Sequence, residues 1–193
     1  MKIISLLLLL TSSTLMAAEQ FRIEDHFKNP AKIPAPVTAY LTKELGAVKM
    51  AACKEIKPNE LFEAEIVSLN KSAKAYVVKP ADMCLCTDHH CPVWMFSTKG
   101  KPTKPIWSHS ATQTLEILDK KLNGYQKLKE TSAEATRGHE SIWSWDRNNY
   151  MEIDKTVWTF DTEKNCRFTE ETSQLMDGRM VNHSIKCFQD PPK

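Results

Sequence analysis

Two hydrophobic periods run along this chain. Val37, Tyr40, Leu41 and Leu45 recur at i, i+3, i+4 and i+8, which is one face of an α-helix. Pro36 suits a first helical turn, where its missing N–H is harmless, and Gly46 is placed to stop the helix. A helix is predicted over 36–45. Residues 19–36 are polar and broken by Pro30, Pro34 and Pro36, which reads as a loop or arm.

From residue 60 the period drops to two or becomes a short apolar run. "ELFEAEIVSL" and "AYVVK" read as strands joined by the turn "NKSA", and "CPVWMFST" as a third strand. "GKPTKPIWSHS" holds two prolines and fits a connection or an edge strand. "TQTLEILDKKL" suits either a strand or a short helix, with a turn at "NGY". "ESIWSWD" and "YMEIDKTVWTFDT" flank "RNN", and "NCRFTEETSQLM" and "RMVNHSIKCF" flank "DG", which predicts two hairpins. The polar segment 127–138, "KLKETSAEATRG", reads as an exposed connection. The fold class expected from these elements is α+β: an N-terminal helix packed on an antiparallel β-sheet and stabilised by disulfides.

The N-terminus adds a compartment. "MKIISLLLLLTSSTLMAAEQ" has a lysine, an apolar run and then small residues, the layout of a cleaved signal peptide. Residues 1–17 are assigned to it, with cleavage after Ala17 or Ala18, and 18–193 to a single domain whose 152–193 stretch forms an extra C-terminal hairpin. Ile3 to Leu10 falls far short of the roughly 20 apolar residues that span a bilayer, so no stable membrane insertion is expected. The expected location is the periplasm. Removing 17 of the 193 residues leaves 176, enough for one core. Lys2 leaves with the leader, so 25 of the 26 basic side chains face 24 acidic ones. That balance argues against a nucleic-acid partner. Only 5 glycines occur, and no phosphate-cradling Gly-rich motif is present.

All six cysteines lie beyond the leader: Cys53, Cys84, Cys86, Cys91, Cys166 and Cys187. An even count in an oxidising compartment points to disulfides. Cys166 and Cys187 sit in the two arms of the last hairpin and make a natural pair. Cys91 is expected to bridge Cys84 or Cys86, and Cys53 to take the remaining one, tying the helix end to the sheet.

Four stretches together, "FEAEIVSLNKSAKAYVVKP", "CLCTDHHCPVWMF", "LNGYQKL" and "SIWSWDRNNY", carry a resemblance. Over about residues 60–151 the chain resembles a family of small secreted bacterial proteins, largely uncharacterised, with a cysteine loop before a CPVW-like strand and an NGY turn. Asp146 and Tyr150 match the family's later "FDG…Y" element, while its glycine is missing here. The resemblance implies an antiparallel fold and an envelope location. It brings no catalytic residues, and the tail 152–193 lies outside it.

"CLCTDHHCPVW" concentrates the candidate chemistry. The favoured reading is a disulfide-pinned loop between two strands. A second is a soft-metal site for copper or zinc, built from Cys84, Cys86, His89, His90 and Cys91; thiolates and imidazoles suit such ions. Its C-x-C-x-x-H-H-C spacing does not match the paired CxxC of common zinc sites. A thioredoxin-like redox centre wants C-x-x-C at a helix start, which is absent. Histidines at 26, 89, 90, 109, 139 and 183 leave a proton shuttle open, with "SHS" at 108–110 the nearest cluster, but no G-x-S-x-G is present. Trp94, Trp107, Trp143, Trp145 and Trp158 are read chiefly as core.

The function expected from this set is non-catalytic, with no cofactor. A small exported domain with rigid loops and no catalytic constellation suits an inhibitor or immunity protein. Its protein partner would be an envelope-targeting enzyme such as a cell-wall hydrolase, met by a loop centred on Asp88, His89 and His90. The alternative is a periplasmic soft-metal protein using the Cys84–Cys91 loop.

Overall fold

A computed structural model describes residues 19–189, except 59, 101, 175, 176 and 178. The predicted signal peptide lies outside the described residues. The chain is mostly β, about 57% strand against 12% helix. This overturns the expected α+β class with a helix packed on one sheet. Eleven strands form two antiparallel sheets instead, and a single helix is the only long helical element among the described residues.

The smaller sheet runs β2 (Phe62–Ser68), β3 (Lys74–Pro80), β4 (Cys91–Ser97) and β5 (Trp107–Thr112), in that order. The larger has the order β1 (Glu19–Arg22), β6 (Thr114–Leu122), β7 (Tyr125–Ala133), β8 (Arg137–Asp146), β9 (Asn149–Asp161), β10 (Cys166–Gln174) and β11 (Met180–Gln189). Their inner faces share one core: Val67, Ala75, Val77, Val93, Met95 and Trp107 meet Leu115, Ile117, Leu128 and Tyr150. Tyr150 couples the two layers, because its N–H donates to the Ile106 carbonyl at 2.9 Å.

The helix α1 (Ala35–Ala51) covers the other face of the small sheet. Val37, Leu41 and Leu45 join Phe62, Ala64, Val78, Trp94 and Phe96 in a second apolar cluster. The helical stripe read from the sequence is therefore the buried face. Gly46 breaks the helix at φ 67°, where a left-handed backbone favours glycine, and a further turn follows it. The covered helix is too small a part of the chain to set its class. Most strands were visible as short alternations, but β1 and β7 were read as irregular chain, β6 was left open between strand and helix, and the second sheet was not foreseen.

Two assignments change. Of residues 112–122, open between strand and helix, Thr114–Leu122 form β6 and Thr112 ends β5. Residues 127–138, expected as an exposed connection, supply most of β7 and the start of β8, inside the larger sheet. The reason is at β7 itself. Leu128 and Glu130 are two apart, share a face and are both fully buried, so a charged residue occupies a core position and erases the alternation. The arm 19–36 is also partly ordered: β1 pairs with β6, and the Ala31 N–H donates to the Ala64 carbonyl at 2.7 Å, shielding the edge of β2.

One ion pair is buried between these layers. Lys79 is 2% exposed; its Nζ pairs with the Glu63 carboxylate and lies 5.1 Å from the centre of the Phe27 ring. A buried cation stripped of its partner is costly. Glu63→Ala should therefore lower unfolding stability by about 3–5 kcal/mol in urea titrations. Adding Lys79→Met should recover part of that loss, because it removes the uncompensated charge; a double variant no more stable than the single one would contradict this account.

Candidate functional site

The segment from Asp82 to Cys91 connects β3 to β4, the two inner strands of the small sheet. It opens with a single 3₁₀ turn, Met83–Leu85, capped by Asp82, whose Oδ1 accepts the Cys84 N–H at 2.8 Å. It closes as a two-residue hairpin. The Thr87 N–H donates to the His90 carbonyl at 2.8 Å, and the His90 N–H returns to the Thr87 carbonyl at 2.9 Å. Asp88 and His89 form the tip at φ 45° and 67°. Positive φ at both central residues is the primed geometry of tight hairpins, usually filled by Asn-Gly or Asp-Gly. Here a histidine stands where glycine would be cheapest.

Two disulfides hold this backbone. Cys86–Cys91 closes the loop across its neck, and Cys53–Cys84 ties its first turn to the chain just after α1. A third, Cys166–Cys187, staples β10 to β11. The six cysteines are thus all oxidised. This bears on the metal alternative for the loop. Sulfurs bonded to sulfur are not thiolates, so in this state Cys84, Cys86 and Cys91 offer no soft donors, leaving His89 and His90.

Those two histidines do not act together. Asp88 and His89 are exposed, and His89 Nδ1 pairs with the Glu24 carboxylate. His90 is buried, its Nε2 without a hydrogen-bond partner. The nominated trio therefore divides into an outward tip and an inward anchor. Beside the loop lies an open hollow of about 570 Å³, lined by Glu44, Lys49, Thr87, His90, Ser108 and Ser110 among others. Met83, 44% exposed, adds an apolar contact surface to the same protrusion.

The remaining histidines separate by environment. His26 and His183 make surface pairs with Glu63 and Glu170. His109 and His139 instead flank the buried Glu130. Burial lowers the pKa of His109, against the opposing pull of the Glu130 carboxylate. This trio was not assembled from the sequence. His109 and His139 stood out only as histidines, and Glu130 lay in the run taken for a connection. Trp94 and Trp107 are buried in the two cores, and Trp143 and Trp145 are partly buried against one of them. Trp107 meets Trp143 edge to face at 5.9 Å, and Trp145 stacks on Tyr125 at 4.4 Å. Trp158 belongs to neither core and lines a surface hollow.

No family model, no curated protein and no solved structure matches the chain. The site is therefore read from its own geometry.

The two disulfides at the loop should differ in strength, because a cross-link closing a longer loop removes more freedom from the unfolded chain. Replacing Cys53 and Cys84 by serine spans 31 residues and should cost about 4 kcal/mol; replacing Cys86 and Cys91 spans 5 and should cost about 2 kcal/mol. Denaturant midpoints of the two double variants, both with the other bridges intact, check the order. Equal losses would mean native-state packing rather than chain entropy sets the contribution.

Proposed function

We propose that this is a non-catalytic periplasmic binding protein, an inhibitor or immunity protein acting on an envelope-targeting enzyme such as a cell-wall hydrolase. The observation that carries the reading is the tip of the 82–91 loop. Two successive non-glycine residues, Asp88 and His89, are held in left-handed backbone at an exposed hairpin braced by two disulfides. Strained backbone of this kind persists only where surrounding structure over-determines it, and it concentrates at functional positions. A loop already fixed in shape loses little freedom when it enters a cleft, so more of the contact energy remains as affinity.

The compartment fits this reading. Three disulfides suit an extracellular or periplasmic protein. No helix among the described residues is long and apolar enough to cross a membrane. Asp88 supplies charge, and Met83 an apolar contact, within one protrusion.

The test is a turbidimetric wall-lysis assay with purified muramidase, lytic transglycosylase and amidase, each titrated with the oxidised protein. At least one enzyme should be inhibited. The double variant Asp88→Ala/His89→Ala should inhibit at least 10-fold more weakly with an unchanged melting temperature. Lack of inhibition across the three classes, or equal inhibition by the variant, sinks the proposal.

A further inference from the structure

Three strands bring two imidazoles and a carboxylate to one point. His109 stands on β5, the edge of the small sheet; Glu130 and His139 stand on the adjacent strands β7 and β8 of the large one. His139 Nε2 lies 2.9 Å from Glu130 Oε2, and His109 Nδ1 lies 3.4 Å from Glu130 Oε1. The possible ligand atoms of the three side chains all lie within 4.8 Å of one another. We propose that His109, Glu130 and His139 form a binding site for one divalent transition-metal ion, with zinc the natural occupant.

The strongest support is what Glu130 lacks. Its side chain is fully buried, yet Oε1 has no hydrogen-bond partner. The 3.4 Å approach of His109 Nδ1 has the length of an ion pair without the alignment of a hydrogen bond. Buried carboxylate oxygens in folded proteins are almost always satisfied. Here the unpaired oxygen and two ring nitrogens converge on one small volume, the arrangement a cation would complete.

The donor chemistry fits. Zinc is held by imidazole nitrogen and carboxylate oxygen at about 2.0–2.2 Å. Donors around such an ion stand roughly 3–3.5 Å apart; the two histidine–Glu130 approaches, 2.9 and 3.4 Å, are near that spacing, and the set as a whole lies within 4.8 Å. Two histidines and one glutamate are a known zinc set that leaves a further position for water or substrate. Glu130 is sealed in, while the His109 and His139 side chains retain 23% and 22% of their exposure, so the site opens on the imidazole side.

The surroundings support rigidity. The His109 ring stacks against Trp107 at 6.5 Å between centres and meets Trp143 edge to face at 6.3 Å. Thr112 Oγ1 lies 3.4 Å from His109 Nδ1. Nearby charge is balanced, because Glu152 takes a hydrogen bond from Ser141 at 2.5 Å and pairs with Lys155 at 3.5 Å. No cysteine belongs to the set, so it survives in an oxidising compartment, unlike a thiolate site. An ion here would also bind the two sheets together, since β5 belongs to one and β7 and β8 to the other. The site is independent of the loop reading above.

The test uses untagged, full-length exported protein with all thiols oxidised, stripped with chelator. Isothermal titration with zinc chloride should show one ion per chain with a dissociation constant at or below the micromolar range, and the melting temperature should climb with free zinc. Glu130→Gln keeps the shape and removes the anionic ligand; it and His109→Ala should each weaken binding at least 100-fold. The surface control His26→Ala/His183→Ala should bind as wild type does. Cobalt(II) added to the wild-type protein supplies a readout that needs no variant: intense visible absorption bands are expected from a low-coordinate nitrogen–oxygen site. Absence of stoichiometric zinc binding by the wild type would overturn the proposal and leave the trio as a buried hydrogen-bonded cluster. So would undiminished binding by Glu130→Gln, or weakened binding by the surface control.

Discussion

Everything else in this fold follows from a four-stranded sheet that is apolar on both faces. Val77 and Val78 are adjacent on β3 and point to opposite sides, and both are fully buried. Trp94, Met95 and Phe96 repeat the pattern on β4. Such a sheet exposes a great deal of apolar surface if either face is left bare, at roughly 25 cal/mol per Å². One face is covered by the large sheet and the other by α1. The two apolar clusters are these two covers, and they share no residue. The arrangement also explains why the 82–91 loop holds its shape. Both of its ends enter strands locked from above and below, and Cys53–Cys84 adds a tie to the segment that follows the covering helix.

The sheets are unequal, and the inequality has chemical consequences. Four strands cannot cover seven. Leu115, Ile117 and Leu128 lie under the small sheet, but along the same large sheet apolar residues give way to Glu130, His139, Ser141, Glu152 and Lys155. β5 is the last strand of the small sheet, so His109 stands at the margin between dry core and wet flank. At that margin the buried carboxylate has two imidazoles beside it, whereas in the middle of the sandwich it would face only hydrocarbon. Farther out, β11 is bare enough to leave Met180, Val181, Ile185 and Phe188 exposed, and Cys166–Cys187 replaces the missing core as its brace.

The same contrast explains what the sequence made legible. The helix stripe at Val37, Leu41 and Leu45 and the runs "AYVVK" and "CPVWMF" belong to segments packed by apolar contact, and periodicity reports such packing directly. Gly46 marked the helix break because only backbone conformation was at stake. The cysteine loop could be seen as disulfide-bearing from composition and count. β7 was lost because its inward positions alternate Leu128, Glu130 and Ser132, and a charged residue at a core position looks like a surface. Local patterns tend to fail where function or strain competes with packing. Here the failure falls on a residue of the histidine–glutamate cluster. The fold class was missed for a different reason. Short strands announce themselves one at a time, but their division into two sheets depends on pairings far apart in sequence, such as Pro30 with Glu65 or β1 with β6.

The loop and the cluster lie on one structural unit and yet answer to different chemistry. The loop runs into β4; β4 pairs with β5, where Val93 stands opposite His109. A constraint on either end therefore stiffens the strand pair that carries the other. Disulfides act chiefly by limiting the unfolded chain, and they yield to reductant. An ion held by imidazole and carboxylate acts on the folded state, needs those groups free of protons, and yields to chelator or acid. Neither agent touches the bonds of the other site. The strand pair that joins them is the ladder of β4 and β5, whose register shifts between Cys91 and Val93. That irregularity sits where the loop's closing disulfide meets the strand pair.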